Sequence, residues 1–86
     1  MGKANPALVI WVADAWISRP EILALEVQGH RILTTTALMA ARAEPFAVVP
    51  EPDLILHPAA HGWNNEMWEY LDVALRAARK RKRERK

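Results

Sequence analysis

Ala7-Leu-Val-Ile-Trp-Val-Ala13, near the start of the chain, is continuously apolar and rich in β-branched side chains. This pattern is typical of a strand that is buried on both faces of a sheet. We therefore predict that residues 7–13 form the central strand of a small sheet. Asp14 follows directly and would lie where that strand ends.

The next segment, residues 18–35, has two interpretations. Ser18-Arg19-Pro20-Glu21 fits a capping box with proline in the first turn, which predicts a helix that ends at Gly29. Alternatively, Ile22 to Val27 and His30 to Thr35 are the two strands of a hairpin. The helix is favoured and gives a β-α-β unit, whereas the hairpin would give a strand meander.

The middle of the chain predicts short elements. Thr36 can cap a helix over Ala37 to Ala43. Phe46 to Val49 and Asp53 to His57 are short apolar runs, and Pro50-Glu51-Pro52 separates them. Because proline cannot sit in a central strand pair, we expect two short strands or one broken edge strand.

A long amphipathic helix is predicted from about Asn65 to Lys82 or beyond. The helical spacing of Trp68, Leu71, Leu75 and Ala78 makes an apolar stripe that would pack on the sheet. The stripe stops at Ala78, so we expect the helix to project from the folded domain beyond that residue. The predicted fold is an α+β domain (residues 1–78) with a basic tail (residues 79–86); an α/β fold of β-α-β type is the alternative.

Charge is divided unequally along the chain. Residues 76–86 hold eight bases and one acid, a net charge of +7, whereas residues 1–75 hold four bases and nine acids, a net charge of −5. Clustered bases are typical of an arm that contacts nucleic acid, an anionic surface or an acidic protein. A solvated helix end, or a tail that folds back on the acidic body, would explain the same pattern. The candidate binding residues are Arg76, Arg79, Lys80, Arg81, Lys82, Arg83, Arg85 and Lys86.

Composition excludes several chemistries. The chain has no cysteine, which excludes disulfides, thiolate metal sites and cysteine nucleophiles and favours a reducing compartment such as the cytoplasm. Its three glycines cannot form a dinucleotide-binding or Walker A loop. No apolar run approaches the ~20 residues that span a bilayer. We therefore expect no cofactor and no membrane partner.

A metal site is the enzymatic alternative. Asp14, Asp53, His57 and His61 could hold a divalent ion in a metal-dependent phosphodiesterase or nuclease. Asp14 closes one predicted strand and Asp53 opens another, so the two meet only if those strands are antiparallel neighbours. The competing explanation is that local hydrogen bonds satisfy each of these side chains.

The chain has four tryptophans, which is a high content for 86 residues. Trp11 and Trp68 fall on predicted core positions. Trp16 and Trp63 flank loops and, with Tyr70, are candidates for a protein interface. A small, aromatic-rich core also favours self-association or assembly with a larger partner.

These patterns together predict a small, non-enzymatic binding or assembly protein. Its basic C-terminal helix would contact nucleic acid or an acidic partner surface. The metal-dependent phosphodiesterase is the alternative, and a structural subunit of a larger particle is the third hypothesis.

Overall fold

The computed structural model of the protein describes residues 7–46, 48–58 and 62–84. In these residues a three-stranded sheet is combined with three α-helices and two single 3-10 turns. The strands are β1 (Val9–Val12), β2 (Arg31–Thr34) and β3 (Leu54–Leu56); the helices are α1 (Pro20–Val27), α2 (Thr35–Ala43) and α3 (Leu71–Glu84); the 3-10 turns are Asp14–Trp16 and Trp68–Tyr70. All strand pairs are parallel, in the order β2-β1-β3. The predicted small sheet, with its apolar run in the centre and a C-terminal helix, is confirmed.

Residues 20–27 form a helix and not the first strand of a hairpin. Pro20 takes the first helical position, where its missing N–H removes no helical hydrogen bond. Arg19 is the N-cap residue and its side chain pairs with Glu21 at 3.2 Å, so the predicted cap at Ser18 is wrong. Gly29 turns the chain with a φ of 96°, a conformation that favours glycine. Since α1 joins two neighbouring parallel strands, the β-α-β interpretation is confirmed.

The segment between α2 and β3 contributes no strand in its described residues. Phe46 and Val48 are 94% and 88% exposed, and pairing with the sheet begins only at Leu54. Prolines on both sides of this stretch lack the N–H that a strand ladder needs. One short edge strand therefore forms, Leu54–Leu56, and the alternative with a separate strand over residues 46–49 is wrong for the described residues of that stretch.

The core lies on one face of the sheet, between the strands and helices α1 and α3. The register aligns Ile10 with Ile32 and Leu54, so these three side chains share that face. Val12 and Leu56 are aligned in the same way, one layer further along the strands. The remaining buried members of the cluster are Leu8, Ile22, Leu25, Trp63, Trp68, Leu71, Leu75 and Ala78. Both helices therefore bury their apolar sides on the same face.

The opposite face of the sheet is covered only in part. Trp11 and Ile55 lie on it, because side chains alternate along a strand, and both are half-buried. Leu38 of α2 is buried but does not belong to the core cluster. Together with Trp11 and Ile55 it lines a cavity. Helix α2 therefore lies on this second face.

The C-terminal helix runs antiparallel to the strands. Its end is beside the start of β3, where the Lys82 ammonium lies 2.9 Å from the Asp53 carboxylate. The boundary predicted after Ala78 thus falls inside α3, and the helix continues along the body to Glu84. No helix among the described residues combines the length and apolarity that crossing a membrane requires.

The start of α3 differs from the prediction as well. The α-helix begins at Leu71 and follows a 3-10 turn, although a start near Asn65 was expected from the sequence. The side-chain carbonyl of Asn64 accepts a hydrogen bond from the Glu66 N–H at 2.9 Å and stabilises the chain ahead of that turn. The predicted apolar stripe is nevertheless buried, from Trp68 to Ala78.

A buried histidine makes the stability of this fold depend on pH. His30 is 8% exposed, and its Nδ1 accepts a hydrogen bond from the Leu8 N–H at 3.0 Å. Burial, with the nearby positive charge of Arg79, lowers the pKa of His30 from its ordinary 6.5. The unfolded chain therefore binds the proton more readily, so the free energy of unfolding should fall as the pH drops through 6.5.

Urea unfolding at pH 7.5 and pH 5.5 measures this effect. We expect a lower midpoint at pH 5.5 for the natural chain. The variant His30→Asn keeps an acceptor for Leu8 but does not titrate, and its midpoint should change less between the two pH values. An equal change in both proteins would mean that other groups cause the dependence.

Candidate functional site

Helix α3 carries its basic residues on two sides. Arg76, Lys80 and Arg83 are exposed and recur at i, i+4 and i+7, which places them on one outward face. We call these three residues the basic stripe. Neither of the two ion pairs found among the described residues involves the stripe. Arg85 and Lys86 lie outside the described residues.

The other basic residues of α3 turn toward the body. The Asp53 side chain is only 3% exposed and accepts hydrogen bonds from Lys82 Nζ at 2.9 Å and from the Val9 N–H at 2.8 Å. Arg81 donates to the backbone carbonyl of Asp53 at 3.3 Å. Arg79 is half-buried and lies close enough to His30 to affect its pKa. These contacts fix the last turns of α3 against the amino edge of the sheet, where the strands begin.

The first turns of α1 and α3 carry acids, and the last turn of α3 carries bases. Helices α1 and α3 begin at the carboxyl edge, where the strands end, with Glu21 and Asp72 in their first turns. Helix α3 ends at the amino edge with Arg81, Lys82 and Arg83 in its last turn. The helix macrodipole favours this distribution. Bases are thus concentrated at the end of α3, beside the amino edge of the sheet.

The four predicted metal ligands do not form one site. Asp53 lies beside Val9 at the amino edge, and Asp14 follows the end of β1. Because β1 and β3 are parallel, the two carboxylates lie at opposite edges of the sheet. His57 follows β3 at the same edge as Asp14, and His61 lies outside the described residues. In the described part of the chain, no three His, Asp or Glu side chains could hold a metal ion.

Asp14 has a local role at the start of α2. Its carboxylate accepts hydrogen bonds from the Thr36 N–H at 3.1 Å and from the Thr36 hydroxyl. These bonds lower the pKa of Asp14. The Thr34 hydroxyl accepts from the Ala37 N–H at 3.2 Å, so Thr34 caps α2 and the predicted cap at Thr36 is wrong. Asp14 therefore joins the end of β1 to the first turn of α2.

The three aromatic residues predicted to form a protein interface, Trp16, Trp63 and Tyr70, do not lie on one surface. Trp63 is 6% exposed and contacts Trp68 edge to face, with ring centroids 5.7 Å apart. Trp16 also packs edge to face with Trp68, with ring centroids 5.3 Å apart, whereas Tyr70 is exposed. Trp63 is thus a core residue and does not share a surface with Tyr70. Self-association stays a prediction.

A cavity of about 370 Å³ lies between α2 and the second face of the sheet. We call it the α2 cavity; its walls include Trp11, Leu38, Arg42, Ile55 and His57. The Arg42 guanidinium lies 5.9 Å from the centre of the Trp11 ring. Sequence reasoning placed Trp11 in the core and assigned no role to Arg42. The available signal was the odd position of Trp11 in β1, which puts it on the face opposite Ile10 and Val12.

Comparisons with protein-family models, with curated proteins and with solved structures find no match to this chain. Its functional interpretation therefore depends on the placement of its own residues. Two regions stand out on that basis, the basic stripe of α3 and the α2 cavity.

Proposed function

We propose that this protein is a non-enzymatic module that binds nucleic acid through the phosphate backbone, with the basic stripe of α3 as the contact surface. The observation that carries the proposal is the division of the bases on α3. Lys82 and Arg81 are engaged with Asp53, while Arg76, Lys80 and Arg83 face outward from an ordered helix.

The geometry of the stripe suits a chain of phosphates. Seven residues of helix separate Arg76 from Arg83, which corresponds to about 10.5 Å at ~1.5 Å per residue. Arginine can bind a phosphate with two parallel hydrogen bonds, and lysine adds a point charge between the two arginines. Because contacts with phosphates carry no sequence information directly, we expect little sequence selectivity.

The placement of Lys82 determines how the proposal should be tested. A chain that ends at Ala78 loses Lys80 and Arg83 together with the ion pair between Lys82 and Asp53, so it would change charge and stability at once. Substitutions at exposed positions separate the two effects. The triple variant Arg76→Gln, Lys80→Gln, Arg83→Gln removes three charges and leaves Lys82 in place.

Fluorescence anisotropy with labelled duplex and single-stranded DNA, over a salt series from 50 mM, measures the contact. Each neutralised phosphate contributes about −0.9 to the slope of log K against log salt for duplex DNA and about −0.7 for single strands. We expect the triple variant to have a duplex slope that is shallower by about 2 to 3.

The matched control carries Ala24→Glu, Gln28→Glu and Ala40→Glu. All three positions are exposed: Ala24 lies on α1, Gln28 directly after it, and Ala40 on α2. The changes lower the net charge by the same three units. Its slope should equal that of the natural chain. An unchanged slope in the triple variant would show that the stripe is not the contact surface.

A parallel titration with poly-glutamate distinguishes the acidic-protein alternative. Absence of nucleic-acid binding by the natural chain at 50 mM salt would refute the proposal. If the chain then bound poly-glutamate, the basic stripe would be a contact surface for an acidic protein.

A further inference from the structure

The α2 cavity lies where ligands bind in open parallel sheets. In the strand order β2-β1-β3, α1 leaves β1 on one face of the sheet and α2 leaves β2 on the other. The crevice outside the carboxyl ends of strands at such a reversal is the general ligand position of doubly wound folds. Trp11 and Ile55 come from β1 and β3, and His57 follows β3 at the carboxyl edge. A volume of about 370 Å³ is enough for a small organic molecule.

The walls of the cavity combine apolar surface with hydrogen-bond donors. Trp11, Leu38 and Ile55 supply flat or branched apolar surface, and Met39 adds an adaptable thioether. The Arg42 guanidinium is a permanent cation, and none of the described residues that line the cavity is acidic. Arg42 belongs to neither of the ion pairs found among the described residues.

Arg42 lies beside the aromatic wall that Trp11 provides. The Arg42 guanidinium lies at the outer limit of a cation–π contact with the same ring. By contrast, Arg19 packs at 4.3 Å over Trp68. Arg42 can therefore turn toward a carboxylate without giving up a close contact.

From these observations we propose that the α2 cavity binds a small aromatic carboxylate. Its ring would lie against Trp11, Leu38 and Ile55, and its carboxylate would accept hydrogen bonds from the Arg42 guanidinium. The site is separate from the basic stripe, which lies on α3 and beside the other face of the sheet.

NMR titration of the full chain with 2-naphthoate tests the proposal. Naphthalene-2-methanol has the same ring system without the charge, and cyclohexanecarboxylate has the charge without the aromatic ring. We expect amide shifts around the cavity in α2 and at the ends of β1 and β3. Affinity for 2-naphthoate should exceed that for either control compound by about 10-fold or more, because a hydrogen bond between charged groups is lost in one and the ring contact in the other.

Two variants locate the effect. Arg42→Gln should weaken 2-naphthoate binding by about 10-fold or more and leave naphthalene-2-methanol unchanged. Arg31→Gln removes the same charge from the exposed start of β2, at the opposite edge of the sheet, and should leave both affinities unchanged. If Arg42→Gln does not fold, the affinities of the natural chain for the three compounds still test whether the cavity prefers an aromatic carboxylate.

Three results would overturn the proposal. The first is equal affinity for 2-naphthoate and naphthalene-2-methanol, and the second is the absence of shifts at the cavity up to the solubility limit of the probe. The third is a set of shifts confined to Arg76, Lys80 and Arg83, which would mean that the anion binds the basic stripe. This last result leaves the nucleic-acid proposal untouched, so the two can fail separately.

Discussion

Replacing Trp68 by alanine should lower the free energy of unfolding by about 3–5 kcal/mol, the largest effect that we expect from a single substitution in this chain. Trp68 is 7% exposed, and two other indoles pack edge to face against it, with centroids 5.3 Å and 5.7 Å away. The Arg19 guanidinium lies 4.3 Å from the ring centre. Truncation therefore removes the contact that joins the start of α1, the loop before α3 and the start of α3.

The natural chain is small, and total stabilities of domains are about 5–15 kcal/mol. Trp68→Ala could thus remove half of the stability or more. Chemical unfolding followed by far-UV circular dichroism measures the change. Tyr70→Ala is the matched control, because Tyr70 lies in the same 3-10 turn but is 56% exposed. We expect the control to cost about 1 kcal/mol or less. Equal losses in the two variants would show that the tryptophan cluster contributes no particular stability.

Much of this fold could be predicted because its strongest signals are local. The apolar run with β-branched residues identified β1 as the central strand. Proline and glycine marked the two ends of α1, and the spacing from Trp68 to Ala78 identified the buried side of α3. Each of these patterns is set by the backbone geometry of one element.

The candidate site was harder to predict because it depends on how elements pack. Whether Asp14 and Asp53 meet is decided by the direction of β3 relative to β1, and no local pattern specifies that direction. Trp63 lies in a loop segment but is buried by its contact with Trp68. Arg42 acquires a role only because α2 is placed over Trp11. Long-range packing thus sets the composition of the cavity and the pairing of the basic residues.

Replacing Asp53 by alanine is the second large change, with an expected loss of about 2–3 kcal/mol. The substitution leaves the Val9 N–H without its 2.8 Å acceptor and removes the partner of Lys82. The loss stays below that of a fully buried ion pair because the Lys82 side chain is 34% exposed and water can solvate it. Asp53→Asn keeps an acceptor for the Val9 N–H and should lose less stability. The difference between the two variants separates the contribution of this hydrogen bond from that of the ion pair with Lys82.

A double-mutant cycle with Asp53→Asn and Lys82→Met measures the pair itself. We expect a coupling of about 1–2 kcal/mol, against about 0.5 kcal/mol or less for the Arg19–Glu21 pair, whose side chains are both 33% exposed. Similar couplings for the two pairs would mean that burial of Asp53 adds nothing to the strength of its ion pair.

Because Lys82 holds the end of α3 against the start of β3, Asp53→Asn should also speed hydrogen exchange in the last turn of α3. Its DNA titration should keep the natural salt slope, since Arg76, Lys80 and Arg83 retain their charges; a shallower slope would mean that the phosphates need the end of the helix to be held in place.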